Sequence, residues 1–245
     1  MVSRTVTKFI KSLQLKKYRK IEQRFIVEGE KSVLEVLQSS YKVQQIVATP
    51  EFQHKHQNRL KSVDIINATQ RELSSLGNFK SNNSALAIVE IKPNTAVSVD
   101  SEYVLALDGI NDPGNLGTII RVADWYGIKK IIASGETADF YNPKVVSASK
   151  GSFTRVELFY TYLPEYLKSV QLTIYGTYMK GENIHKTYFE KEGIIVLGNE
   201  SNGISKELEP YISRKISISR RGEAAESLNV GVAAAVICDN VSRVT

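Results

Sequence analysis

Three short polar segments carry the side chains of this chain best suited to chemistry. They are Asp108-Gly-Ile-Asn-Asp-Pro-Gly-Asn-Leu-Gly-Thr-Ile-Ile-Arg121, Leu197-Gly-Asn-Glu-Ser-Asn-Gly203 and Glu226-Ser-Leu-Asn-Val-Gly231. In the first, Asp112-Pro113-Gly114 is a turn signal, and Asn115 falls near the start of a helix carrying Leu116, Ile119, Ile120 and Ala123. A helix N-terminus with backbone amides freed by glycine is suited to an anion. Arg121 lies one turn after Gly117, and a helical side chain leans back over the preceding turn. Its guanidinium could therefore reach a phosphate held at the loop. A surface arginine over a packing glycine explains the same residues. Glu200 reads as a catalytic carboxylate or as a solvated loop residue. Ser227 and Asn229 open an apolar helix, Val230 to Cys238, and suit both a site and a helix cap.

The elements that must position these residues are legible around them. Tyr103 to Leu107 and Gly193 to Leu197 are apolar runs of strand type, and each feeds one of the polar segments. Open α/β sheets bind ligands in the loops at the carboxyl ends of their strands. Three such loops rich in Gly, Asn and Ser point to one composite site. A dinucleotide-binding turn is absent, because the chain contains no Gly-x-Gly. Its Gly-x-x-x-x-Gly spacings are not followed by Lys-Ser or Lys-Thr, which argues against a nucleotide triphosphatase.

Taken in order, Asp-Pro-Gly-Asn-Leu-Gly-x-x-x-Arg, Leu-Gly-x-Glu-x-x-Gly and Glu-Ser-Leu-Asn-Val resemble the three motifs of the SpoU (TrmH-like) branch of the SPOUT methyltransferases. Tyr141-Asn-Pro-Lys-Val-Val-Ser-Ala-Ser-Lys-Gly151 resembles the stretch that links the first two. The resemblance covers about residues 101 to 243. It implies an enzyme that uses S-adenosyl-L-methionine to methylate a ribose 2′-hydroxyl, in ribosomal RNA ahead of transfer RNA. It also implies an α/β fold with a SPOUT-type parallel sheet and a C-terminal trefoil knot, acting as a homodimer. Carried over by motif, Asn115, Arg121, Glu200, Ser227 and Asn229 would be catalytic. Thr177, Gly198, Ile218 and Leu228 would line the cofactor pocket. One departure stands out: where the family usually has Ile-Pro-Met, this chain has Ile218-Ser219-Arg220-Arg221-Gly222, losing a fixed φ and an apolar wall element.

The chemistry constrains the roles. A 2′-hydroxyl gains nucleophilicity by losing its proton as it attacks, yet His54, His56 and His185 all lie outside the motifs. The family's proposal makes the arginine the base, which is awkward because a free guanidinium stays protonated. Arg121 could equally clamp a phosphate and stabilise the developing alkoxide. Asn115 would then orient Arg121 or the ribose, and Glu200 could hold Arg121 or a partner-chain residue in an ion pair. With no Cys/His cluster, a metal is not expected.

The chain holds 32 Lys and Arg against 26 Asp and Glu, a net charge of +6 that suits a polyanion. Lys8, Lys11, Lys16, Lys17, Arg19, Lys20 and Arg24 crowd the N-terminus, with Tyr18 and Phe25 interleaved as candidate base-stacking groups. A solvated helix face explains the same charges. Neither a signal peptide nor a membrane-length apolar run is apparent, and the single cysteine, Cys238, forbids an internal disulfide, so a cytoplasmic protein is expected. Residues 1–92 show their own α/β alternation. It includes a capping-box pattern at Thr69 and Glu72, and resembles a small L30e-like RNA-binding domain. Residues 93–100 read as a linker and 101–245 as the catalytic domain. The competing reading is a non-catalytic RNA-binding or ribosome-assembly paralogue of the same fold.

Overall fold

Capping residues and apolar runs set the boundaries of the first elements. Ser3 caps α1 (Arg4–Ser12) by accepting from the Val6 amide, and α2 (Lys16–Glu22) follows. Then come β1 (Arg24–Glu28), α3 (Glu30–Leu37), β2 (Val43–Ala48), α4 (Pro50–His56), β3 (Asp64–Asn67), α5 (Gln70–Leu76) and β4 (Ala85–Glu90). Thr69 and Glu72 form the reciprocal capping box that their spacing predicts, at the head of α5. The computed structural model describes residues 2–78, 82–99, 102–220, 222 and 227–243. It divides into two units, Met1–Pro93 with Tyr141–Thr154, and Asn94–Phe140 with Arg155–Thr245.

The first unit is built on a four-stranded sheet in the order β1-β4-β2-β3, antiparallel except for β2 with β3. Alternation along the strands sends successive side chains to opposite faces. Ile26, Val47, Leu86 and Ile88 pack with Ile10, Leu13, Leu73 and Leu76. Phe25 is fully buried, against Tyr41, Tyr141 and Phe153. Its expected role as a base-stacking group is therefore corrected: the ring is a core element. Arg19 is corrected for the same reason. It is 2% exposed and donates to the carbonyls of Leu13 (2.9 Å) and Gln14 (2.8 Å), so it satisfies backbone just past α1.

The second unit contains β5 (Tyr103–Asp108), α6 (Pro113–Trp125) and β6 (Lys130–Ala133). The chain then makes α7 (Pro143–Ser149), which belongs to the first unit, before β7 (Glu157–Tyr160), α8 (Leu163–Ser169), β8 (Ile174–Asn183), β9 (Gly193–Gly198), β10 (Arg214–Ser217) and α9 (Val230–Val241). The sheet order is β10-β8-β9-β5-β6-β7, with every pair parallel. Its central strands are apolar on both faces, as a sheet covered on both sides requires. Ile194 to Val196 and Val104 to Leu107 are fully buried. The order reverses at β5 and β9: from β5 the chain proceeds outward to β6 and β7, then returns on the other side. That crevice, at the strands' carboxyl ends, is the switch point where such sheets bind ligands. β8 carries an irregularity. Gly176 pairs with Lys215 and Glu182 with Ile216, so Thr177 to Gly181 bulge out of the ladder.

Two boundaries differ from the sequence reading. The stretch read as a linker packs into the second unit, with Val97 and Val99 buried in the core beside Val104 and Ala106. Asn94 also exchanges two hydrogen bonds with the backbone of Tyr160, at 2.8 and 2.9 Å. Tyr141–Thr154, read as part of the catalytic domain, joins the first unit. There Tyr141 and Phe153 complete the aromatic cluster around Phe25 and Tyr41, and the Tyr141 hydroxyl accepts from the Lys92 amide at 3.1 Å.

Candidate active site

The crevice between β5 and β9 is closed by backbone. Asp108 and Gly198 are register partners at the strand ends. A side chain at Gly198 would place its Cβ 2.3 Å from the Gly203 carbonyl carbon and the Ile204 nitrogen, so only glycine permits the chain to fold back here. Asn199 and Gly203 exchange backbone hydrogen bonds at 3.0 and 2.8 Å, which makes residues 199–203 a tight turn. The Asn199 side chain fixes that turn from inside. Its Oδ1 accepts from the amides of Ser201 (2.9 Å) and Asn202 (3.2 Å), and its Nδ2 donates to the Gly109 carbonyl at 2.7 Å. Asp108 adds a second brace, accepting from the Ser205 amide at 2.7 Å. Gly109 itself has φ +68°, and its amide donates to Ser134 Oγ at 3.0 Å. The loops after β5 and β9 are thus one cross-linked structure.

Three of the five expected catalytic residues meet on this scaffold. Asp112 caps α6, accepting from the Asn115 amide at 2.8 Å. Asn229 caps α9, accepting from the amides of Gly231 (3.0 Å) and Val232 (3.3 Å). Because its oxygen serves those amides, its Nδ2 is left to donate, and it does so to Asn115 Oδ1 at 2.8 Å. Asn115 in turn donates through Nδ2 to Glu200 Oε1. The order Asn229→Asn115→Glu200 fixes both amide orientations. It ties together three segments separated by 114 and 85 residues. Close packing of α9 on α6 makes this possible: a Cβ at Gly231 would lie 2.8 Å from Thr118 Cγ2.

Arg121 and Ser227 stand apart from the chain of amides. Arg121 is exposed on α6 and makes no hydrogen bond or ion pair among the described residues. The expected Glu200–Arg121 ion pair is replaced by the Asn115–Glu200 hydrogen bond. Ser227 is exposed two residues before the cap, and Asn229 alone of the two caps the helix. Arg221 and Glu226 lie outside the described residues.

The residues expected at the cofactor lie at the same edge of the sheet. Thr177 follows Gly176 where the bulge leaves β8, Gly198 ends β9, and Ile218 follows β10. Leu228 precedes the cap of α9 and is 49% exposed, an apolar side chain without full cover. Nearby in sequence, Tyr178 has a buried hydroxyl with no partner among the described residues, and Lys215 Nζ sits 4.6 Å over its ring. Burial first, then Glu209 and Asp108, push that phenol's pKa up.

No histidine enters the network: His185 pairs with Asn240 Oδ1 at 3.0 Å, and His56 with Glu30 at 2.9 Å in the first unit. Among the described residues no group of three or more metal-ligating side chains occurs, and no helix is long and apolar enough to cross a membrane. A cavity of about 410 Å³ lies by Phe9, Gln44 and Ile88, and one of about 200 Å³ by Tyr126 and Cys238. Neither is lined by the motif loops; the directed polar groups converge at the crevice instead. Sequence reading missed Asn199 and Asp108. The Asn beside Glu200 and the Asp ending an apolar strand were the available signals.

Residues 102–239 match the SpoU rRNA Methylase family, and residues 5–87 match an MRM3-like substrate binding domain. The chain is similar to the 23S rRNA (guanosine(2553)-2′-O)-methyltransferase RlmP of Bacillus subtilis, with 30% identity over 93% of this chain and 92% of that protein. Among solved structures, a TrmH-family protein from Porphyromonas gingivalis shares 30% identity at a TM-score of 0.87, covering 100% of both chains. An AdoMet-bound rRNA methyltransferase from Sinorhizobium meliloti shares 25% identity at a TM-score of 0.89, covering 99% of this chain and 97% of that one. By its motifs, its sheet and these matches, the chain belongs to the SpoU rRNA methylase family.

Proposed function

We propose that this protein transfers a methyl group from S-adenosylmethionine to a ribose 2′-hydroxyl of ribosomal RNA. The observation that carries the reading is the Asn229→Asn115→Glu200 hydrogen-bond chain at the switch-point crevice, on the same helix as a free Arg121. The Bacillus subtilis relative, named for a 23S rRNA 2′-O-methylation, supports ribosomal RNA as the substrate.

The loop residues fit a nucleoside cofactor by their chemistry. Gly198, Ile218 and Leu228 offer main-chain donors and acceptors with apolar surface, and Leu228 leaves about half of its area for a ligand to cover. Bound there, S-adenosylmethionine would supply an electrophilic methyl group on a sulfonium. The chain's own residues would do the rest. Arg121 grips the phosphate beside the target ribose with its planar two-point fork and stabilises the alkoxide as the hydroxyl proton passes to solvent water. Because the guanidinium keeps its own protons, its role is clamp rather than base. Asn115 and Asn229 fix the pocket wall that faces the ribose, Glu200 anchors them, and Ser227 offers a hydroxyl for a ribose or phosphate oxygen.

The reading includes a homodimer and a knot. Trp125 at the end of α6 is 83% exposed and Val232 near the start of α9 is 50% exposed, apolar side chains that an isologous contact would cover. After β10 at one edge of the sheet, the chain returns to pack α9 on α6 beside the central strands, a return compatible with a threaded C-terminus. Mapping ribose methylation across cellular ribosomal RNA with and without the gene tests the function. One or more 2′-O-methyl marks should vanish on deletion. An unchanged methylation map with intact ribosomal RNA binding would instead support the non-catalytic reading.

A further inference from the structure

The helix α2 is built inside out. Its one buried side chain is an arginine, Arg19, while Tyr18 (39% exposed) and Ile21 (63%), with Leu15 (59%) at the cap, face solvent. A surface helix ordinarily turns its apolar stripe to the core. Positions 15, 18 and 21 recur every three residues and so share one side of the helix. Lys16, Lys17 and Lys20 are exposed alongside, and none of their ammonium groups has an ion-pair or hydrogen-bond partner among the described residues. Glu22 is the only acid on the helix. Three large apolar groups, with three unpartnered ammonium groups along one flank and the single carboxylate of Glu22 among them, form a surface that wants a partner both flat-faced and anionic. Unpaired RNA has both properties: base faces stack on aromatic and apolar side chains while phosphates meet lysines.

We propose that this face of α2 binds an unpaired segment of the substrate RNA. Leu15, Tyr18 and Ile21 take the bases, and Lys16, Lys17 and Lys20 take the flanking phosphates. The proposal rests on the RNA-methyltransferase reading for its substrate. It goes beyond that reading by naming a strand-selective contact outside the active site. Paired RNA keeps its bases stacked on each other, so the apolar stripe gains nothing from a duplex, while the lysines still meet its phosphates.

The test measures binding, and so stands apart from methyl transfer. Fluorescence anisotropy of the full chain with a labelled single-stranded oligoribonucleotide, and with its fully paired duplex, is followed between about 50 and 200 mM salt. Leu15→Ser/Tyr18→Ser/Ile21→Ser should weaken single-strand binding about tenfold or more at every salt concentration, leave its logarithmic salt slope unchanged, and spare the duplex. Lys16→Gln/Lys17→Gln/Lys20→Gln should lower the single-strand slope by about 2, since each phosphate neutralised by a lysine adds roughly 0.7 to it. Tyr18→Phe alone should keep wild-type affinity, the glutamine variant should melt with the parent because its lysines are exposed, and unchanged duplex binding shows that the serine variant is folded. Single-strand affinity unchanged in the serine variant overturns the proposal. So does a serine variant that keeps its RNA affinity but loses self-association or binding to anionic phospholipid vesicles, since the face then serves a second copy or a membrane.

Discussion

Replacing Arg121 with alanine separates function from fold more cleanly than any other change in this site. The guanidinium is exposed and has no partner among the described residues, so its removal breaks no native contact there. Position 121 lies inside the 13-residue α6, where alanine is as good a helix former as arginine or slightly better. Stability should therefore stay within about 0.5 kcal/mol of wild type. The Asn229→Asn115→Glu200 chain does not involve Arg121 and should persist. Cofactor affinity should be nearly unchanged, because Thr177, Gly198, Ile218 and Leu228 lie on other loops. Methyl transfer should fall by roughly two to four orders of magnitude, the usual worth of one group that stabilises developing charge. That is about 3–5 kcal/mol at 1.36 kcal/mol per decade. Single-turnover transfer of a radiolabelled methyl group to ribosomal RNA measures the loss, with a thermal melt and calorimetry of cofactor binding as controls. Arg121→Lys keeps the charge and loses the fork, so it should recover only a small part of the rate. Near-normal turnover of the lysine variant would reduce the requirement to simple charge. Near-normal turnover of the alanine variant would remove Arg121 from the mechanism.

Three further outcomes follow from the geometry. Asn115→Asp puts a carboxylate against Glu200, so transfer should drop at least tenfold at neutral pH and recover partly as pH falls and one acid of the pair protonates; a flat pH response would refute the contact. Asn199→Ala removes one donated and two accepted hydrogen bonds, and should cost about 1–3 kcal/mol in a denaturant titration and weaken cofactor binding; unchanged affinity would show that the turn holds without it. Trp125→Glu/Val232→Glu puts charge on two exposed apolar positions and should convert the proposed dimer to a monomer by light scattering, whereas a variant that keeps a wild-type dimer mass would place the contact elsewhere.

What is legible in the residues alone divides along a physical line. Strands such as Ala85–Glu90 and Gly193–Gly198 are legible because burial on both faces demands a continuous apolar run. Thr69 with Glu72 is legible because a capping box is a contact three residues long. Asn115, Glu200 and Asn229 are legible as motif members, but their hydrogen bonds are not, since those depend on β5 pairing with β9 and α9 packing on α6. Phe25 misleads because an aromatic residue among lysines looks the same whether it stacks on a base or in a core. Its partners Tyr141 and Phe153 lie more than a hundred residues away. The bulge at Thr177–Gly181 is hidden for a related reason: it is defined by where β10 pairs, and Arg214–Ser217 is a short strand with little apolar signal of its own.

The cap residues explain how a site with so few buried polar groups can still be ordered. Asp112 and Asn229 each satisfy amides at the start of a helix, work that the fold requires in any case. Asn229 has a second polar atom, and once its oxygen is committed to the cap its nitrogen can point in only one useful direction, toward Asn115. Asn115 has its side-chain oxygen taken by Asn229, so its nitrogen passes the donor on to Glu200. The orientation of these amides is thus inherited from helix capping and costs little extra side-chain order. Arg121 lies outside this chain and has no partner among the described residues, as the proposed phosphate clamp requires. A rigid wall and an unengaged cation are complementary needs of one reaction: the ribose must be held before it arrives at the methyl group, and the charge that develops on its oxygen must be met by a group not already neutralised.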